Sequence, residues 1–181
     1  NDELIKELIE KDYPFIVVGR APETLKCYSV NNDNIQAAYS AVRHLLNHGH
    51  QRIAFINGPE EYMFCRDRFE GYRFALKEYG VEYDPALLRN GTLTQEDGYR
   101  LTKELLKVSS PPSGIFCIDD LLAIGAYRAI RENGLTISKD IAIIGFNDDP
   151  IAAVIEPKLT TTRIPIYEMG VTAAEMMLQI L

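Results

Sequence analysis

Three amphipathic stretches that each stop at a glycine constrain this chain most. From about 34 to 48, Ile35, Ala38, Val42, Leu45 and Leu46 recur every three or four residues, and Gly49 follows. From about 66 to 79, Phe69, Tyr72, Leu76 and Tyr79 keep the same spacing before Gly80, and a third stretch over 120–133 ends at Gly134. That spacing places the apolar residues on one helix face. A glycine at the end supplies the left-handed residue that a helix C-cap needs. Thr94 and Asp97 form a capping-box pattern that opens a further helix running to about 107. Short apolar or extended runs alternate with these helices: Phe15–Val18, Tyr28–Val30, Ile53–Ile56, Ile115–Ile118 and Ile141–Phe146. Continuous apolar runs between helices are the pattern of parallel strands buried on both faces, joined by helical crossovers. The fold class is therefore α/β, parallel sheets flanked by helices.

The alternation breaks twice. After Phe146 there is no helical pattern, only an acidic stretch bounded by Pro150 and Pro157. After Leu159-Thr160-Thr161-Thr162 the chain passes through Ile164-Pro165-Ile166 into a last helix from about 167 to 181. One doubly wound domain has no use for this excursion, whereas two lobes with a crossing chain do. The opening residues Glu3–Ile9 already read as the middle of a helix with no capping residue ahead, so the chain is expected to be part of a longer protein.

The net charge is −7 over 181 residues. That balance argues against this stretch gripping nucleic acid, whose phosphates are held by clustered Lys and Arg. No apolar run approaches the roughly 20 residues that span a bilayer. Cys27, Cys65 and Cys117 are too few and too scattered for a disulfide framework or a CxxC metal site, a usage that suits a reducing cytoplasm. His44 and His48 lie one helical turn apart, but no Glu or fourth ligand accompanies them, and histidine suits a helix C-terminus; they are read as structural, not as a metal site. There is no GxGxxG after the first strand, no GxxxxGK[ST] and no GxSxG, so no cofactor and no enzymatic catalysis is expected.

In an open parallel sheet, ligands bind beyond the carboxyl ends of the strands. Here those ends are polar: Asn31–Asn34 follow one strand, Asp119-Asp120 another and Asn147-Asp148-Asp149 the longest, while the loop after Ile56 leads to Arg66 and Arg68. Carboxylates, amides and a forked guanidinium make the paired hydrogen bonds that sugar hydroxyls require. Asp33 and Asp120 are read first as helix caps, and Arg68, Asp119 and Asn147 as ligand contacts. Paired acids could instead hold Mg²⁺ for phosphoryl chemistry, but that needs a lysine at a strand end, and Lys158 precedes a strand instead.

These motifs together resemble the effector-binding core of the LacI/GalR family of bacterial transcription regulators. The matching segments are Val30–Asn34, Ala41 to Leu45, Gly49–Pro59, Arg68–Tyr72, Gly98-Tyr99, Pro112–Phe116, Asp120–Ala126, Asp140–Asp148, Pro157–Thr161 and Glu168–Gly170. Each is weak alone; in register over almost the whole chain they are specific. The resemblance implies a two-lobed periplasmic-binding-protein-like core with an incomplete N-terminal lobe. Residues 1–32 and 165–181 would belong to that lobe and 33–164 to the C-terminal lobe. It also implies a small effector, most simply a sugar, bound between the lobes by Arg68, Asp119 and Asn147. Phe64, Tyr62 and Leu93 would line the cleft, and Arg20 is a candidate from the other lobe. Asp119 and Asn147 stand where the family more often has Asn and Asp, an exchange that keeps one charge in the site. Leu93 stands where members that stack a flat ring often have an aromatic residue. The implied protein is a cytoplasmic homodimer, a repressor that grips operator DNA through a domain absent from this chain. The alternative is an extracytoplasmic sugar-binding protein of a transporter, which shares the fold.

Overall fold

The computed structural model describes residues 2–22 and 24–181. Its contacts divide the chain into two compact units, Asn1–Asp33 with Ile164–Leu181, and Asn34–Arg163.

The larger unit is built on a five-stranded parallel sheet in the order β4-β3-β5-β6-β7. Its strands are β3 (Ile53–Asn57), β4 (Leu88–Asn90), β5 (Gly114–Cys117), β6 (Ala142–Asn147) and β7 (Thr160–Arg163). Every residue of β3 and β5 is buried, as continuous apolar runs require in a sheet covered on both faces. Helices α2 (Asn34–Asn47), α3 (Met63–Glu78), α4 (Gln95–Leu105) and α5 (Asp120–Glu132) supply the cover, α2 packing on α3 and α4 on α5. Gly49, Gly80 and Gly134 adopt φ of +86°, +67° and +74° just past α2, α3 and α5, so the glycine stops act as C-caps.

Both helix pairs cross at glycine notches. A methyl group at Gly71 would overlap the Ile35 carbonyl oxygen of α2, and one at Gly125 would overlap the Gln95 carbonyl oxygen of α4. The core between sheet and helices is aromatic. Phe55 stacks on Phe116 and Tyr72 with ring centroids 4.9 and 5.2 Å apart, and the buried Tyr72 hydroxyl donates to the Ile53 carbonyl at 2.8 Å.

One half of the capping box at α4 forms as its spacing predicts. Thr94 Oγ1 accepts from the Asp97 amide at 3.2 Å. The Asp97 carboxylate does not turn back to Thr94, however. It accepts from the Thr92 amide and hydroxyl at 2.6 and 2.7 Å and from Arg100 at 2.8 Å, which fixes the loop that carries Leu93. These donors hold the Asp97 carboxyl down at about 2. Stability from this depressed group is present above the ordinary aspartate range and is lost as pH falls from about 4 to about 2. Asp97→Asn is expected to flatten the fall of Tm between those pH values and leave Tm above pH 6 lower by a small constant, as read by calorimetry across a pH series.

The smaller unit holds α1 (Asp2–Glu10), a two-stranded parallel sheet of β1 (Val17–Val18) and β2 (Ser29–Val30), and α6 (Ile166–Ile180). The structure departs here from what the residue pattern predicts. Phe15–Val18 does not form a strand buried on both faces: only Val17 and Val18 pair, and Val18 is 58% exposed. Among the described residues of this unit β2 is the single strand beside it, so β1 is paired along one edge alone. Helix α6 likewise has no buried residue, and Tyr167 and Leu178 are exposed. Strand β4 is a second departure, absent from the predicted elements. Leu-Arg-Asn carries no apolar run, because an edge strand of three residues needs none.

Candidate functional site

The carboxyl ends of β5 and β6 and the first turns of α2 and α3 converge on Arg68. Arg68 is 5% exposed. Its Nε donates to Asn34 Oδ1 at 2.9 Å, and one terminal nitrogen donates to the carbonyl of Ile118, the last residue before Asp119, at 2.6 Å. The ring of Phe146 lies 3.6 Å from the guanidinium carbon and that of Phe64 5.0 Å, so the cation is held against two aromatic faces. Burial lowers its pKa to about 10, and Asp119 and Asp120 oppose that shift. Arg68 therefore stays charged at neutral pH, with two of its five N–H donors engaged by these protein acceptors.

Asp119 and Asn147 are brought together. Asn147 Nδ2 donates to Asp119 Oδ2 at 2.8 Å, and Asp119 Oδ1 accepts from the Leu121 amide at 2.8 Å. The contact orients the amide: with its NH₂ turned to the carboxylate, Asn147 keeps Oδ1 as an acceptor. Burial raises the Asp119 carboxyl pKa, and the bonds from Leu121 and Asn147 pull it back. Asn147 and Asp148 have φ of +116° and +62°, two consecutive left-handed residues without a glycine. Such geometry costs energy and persists where surrounding contacts impose it.

The structure places the helix cap expected of Asp120 on Asp119 instead. Asp119 is the N-cap of α5, whereas Asp120 is the first residue of that helix. The Asp120 carboxylate is fully buried and accepts instead from Thr161 Oγ1 of β7 at 2.7 Å and from the Asp149 amide at 2.8 Å. Capping uses the carboxylate in the extended residue before the helix, and Asp119 occupies that position with φ −151° and ψ 147°.

Phe64 is half-buried in the first turn of α3 and stacks on Tyr62, with centroids 5.6 Å apart and planes 12° from parallel. Tyr62 is 47% exposed at the N-cap of that helix and makes no side-chain capping bond. Leu93 packs over Gly58 together with Cys65, whose thiol burial pushes up to about 11. Arg20 lies in the smaller unit, exposed and two residues beyond β1. Asn34, Phe146, Asp120 and Thr161 are members of this constellation that the residue pattern does not single out as ligand contacts. Asn34 closes a polar run at a strand end and so carries a weak signal; Thr161 carries none.

A groove of about 950 Å³ lies elsewhere in the larger unit, between α3 and β4, and is lined by residues that include Phe69, Arg73, Tyr83 and Asn90. It contains none of Arg68, Asp119 or Asn147. The strand-end constellation is the better candidate because it gathers a buried cation, an oriented amide and strained backbone. Among the described residues no group of three or more His, Cys, Asp or Glu gathers to hold a metal, and no helix is long and apolar enough to cross a membrane. The His44 and His48 rings lie 4.3 Å apart, tilted by 37°, where α2 ends.

A parallel sheet with polar strand ends and a return to a second unit is shared by many binding folds, and comparison with known proteins decides among them. Residues 42–181 match the periplasmic binding protein-like domain. The chain belongs to that family. Within this family the periplasmic binding protein-like chain is similar to the HTH-type transcriptional repressor CytR of Escherichia coli strain K12, 36% identical over 157 residues that make up 87% of this chain and 46% of that protein. A solved regulatory protein of the LacI family from Chloroflexus aggregans superposes with a TM-score of 0.95 at 35% identity, covering 99% of this chain and 65% of that one. A LacI-family regulator from Enterococcus faecium with bound ribose gives a TM-score of 0.85 at 34% identity, covering 98% of this chain and 66% of that one. The resemblance to the LacI/GalR effector-binding core and its α/β fold is thus shown. The chain spans about half the length of the curated relatives it matches.

Proposed function

We propose that this chain is the ligand-sensing core of a LacI-type transcriptional regulator whose effector is a sugar, bound at the carboxyl edge of the five-stranded sheet. One observation carries the reading: Arg68 is clamped by Asn34, Ile118 and Phe146 beside the oriented Asp119–Asn147 pair. Guanidinium donors next to a carboxylate and an amide oxygen match vicinal hydroxyls, each of which both accepts and donates. The Tyr62–Phe64 stack offers an apolar face for the C–H side of a sugar ring. Phe64, Tyr62 and Leu93 are assigned as lining residues, and Arg20 is kept as a candidate effector contact. On this reading residues 1–32 and 165–181 form part of one lobe and 33–164 the other.

The whole protein is then a cytoplasmic homodimeric repressor without enzymatic activity, holding operator DNA through a domain outside these residues. The chain's net charge of −7 supports that division, since an acidic core leaves phosphate binding to a basic partner domain. Regulation requires that the sugar bind one arrangement of the protein more tightly than another, because equal affinity shifts nothing. The relatives named above are transcriptional regulators, so a transporter's binding protein is not carried forward. The test is a thermal-shift panel of D-ribose, D-glucose, maltose and cellobiose on the full-length protein, followed by operator binding with and without the best sugar. The proposal expects one sugar to raise Tm and to change operator affinity at least tenfold. No shift with any of them, or a shift without effect on DNA, would count against it.

A further inference from the structure

We propose that Asp120 is a positioning residue that holds Asn147 in its left-handed geometry against Asp119, acting from beneath the ligand surface; its consequence for effector binding rests on the sugar reading above. Three elements meet at its carboxylate. Asp120 belongs to α5, Thr161 Oγ1 donates to it from β7, and the Asp149 amide donates from the loop after β6. Thr161 Oγ1 in turn accepts from the Asp148 amide at 3.2 Å. Both amides that follow Asn147 are therefore tied, directly or through one hydroxyl, to a single buried carboxylate. Those are the bonds that can hold φ of +116° and +62° at Asn147 and Asp148.

The floor of the arrangement is Gly145. A methyl group there would overlap Asp120 Oδ1, so the absence of a side chain in β6 is what admits the carboxylate. Asp119 and Asp120 thus have complementary roles, Asp119 receiving the Asn147 amide and Asp120 fixing the backbone that delivers it. Burial raises the Asp120 carboxyl pKa, as do the neighbouring Asp149 and Asp119, and the bonds from Thr161 and the Asp149 amide pull it back.

The test compares wild type with Asp120→Ala, Thr161→Val, Gly145→Ala and the Asp120→Ala/Gly145→Ala double variant in the full-length protein. Amide exchange of residues 147–149 is expected to speed up at least tenfold in Asp120→Ala and Gly145→Ala and a few-fold in Thr161→Val, while exchange over α2 stays unchanged. The double variant is expected to resemble Asp120→Ala alone, since Gly145→Ala acts by displacing a carboxylate that is then absent. Calorimetry with D-ribose, D-glucose, maltose and cellobiose should show the binding sugar weakened at least tenfold by Asp120→Ala. Wild-type exchange at 147–149 in Asp120→Ala, faster exchange everywhere, additive effects in the double variant, or local opening with undiminished sugar affinity would each overturn the assignment. Local opening without wild-type affinity for any of the four sugars would support the positioning of Asn147 and sink the sugar reading instead.

Discussion

Arg68→Ala is expected to abolish the sugar-induced rise in Tm and to weaken sugar binding by about 10- to 150-fold, the equivalent of losing about 1.5–3 kcal/mol of hydrogen bonding to a charged group. The expectation follows from where the guanidinium is anchored. Asn34 Oδ1 and the Ile118 carbonyl fix two of its donors, and Phe146 presses on its face, so the remaining donors are presented without loss of rotamer freedom on binding. Arg68→Lys should not rescue it, because an ammonium has no planar fork with which to meet both anchors and stack on Phe146 at once. Arg68→Ala also removes the donors to the buried Asn34 Oδ1 and the Ile118 carbonyl, costing stability of about 1–3 kcal/mol. Titration calorimetry well below the variant's Tm separates the two effects. Equal affinity in wild type and Arg68→Ala would remove Arg68 from the site.

Gly125→Ala is the substitution expected to harm the fold most. Its Cβ would meet backbone, the Gln95 carbonyl oxygen and the Tyr99 nitrogen, so no side-chain rotation can relieve it and α5 must move away from α4. Overpacking of this kind costs about 3 kcal/mol, from which the better helix propensity of alanine returns about 1 kcal/mol. At about 2–4 °C per kcal/mol for a chain of this size, Tm should fall by about 4–8 °C. Gly170→Ala in α6 is the control. An added Cβ there meets nothing within 4 Å, and Tm should hold or rise. Equal Tm changes in the two variants would show that the helix pair is not held at that notch.

Much of this molecule is legible in its residue pattern. The stretches that end at Gly49, Gly80 and Gly134 are helices, and the runs at Ile53–Ile56 and Ile115–Ile118 are buried parallel strands, because periodicity and continuous apolar runs report burial directly. What the pattern misses depends on pairing. β4 is a strand only because β3 lies beside it, and Val17–Val18 is half open only because its sheet has two strands. The site divides similarly. Asp119 and Asn147 are legible as polar residues at strand ends, and Arg68 as a cation beyond the loop that follows β3. The roles of Asp120, Thr161 and Gly145 are not, since they arise from contacts across up to 41 residues of sequence. The assignment of the helix cap to Asp119 turns on backbone angles that two adjacent aspartates do not reveal.

A crystal structure of the full-length protein with the sugar that raises its Tm most decides where the effector sits. Sugar hydroxyls are expected within hydrogen-bond distance of Arg68 and of Asn147 or Asp119, with a ring face toward Phe64. Sugar found instead in the groove between α3 and β4, with Arg68 making no contact to it, would exclude the strand-end site.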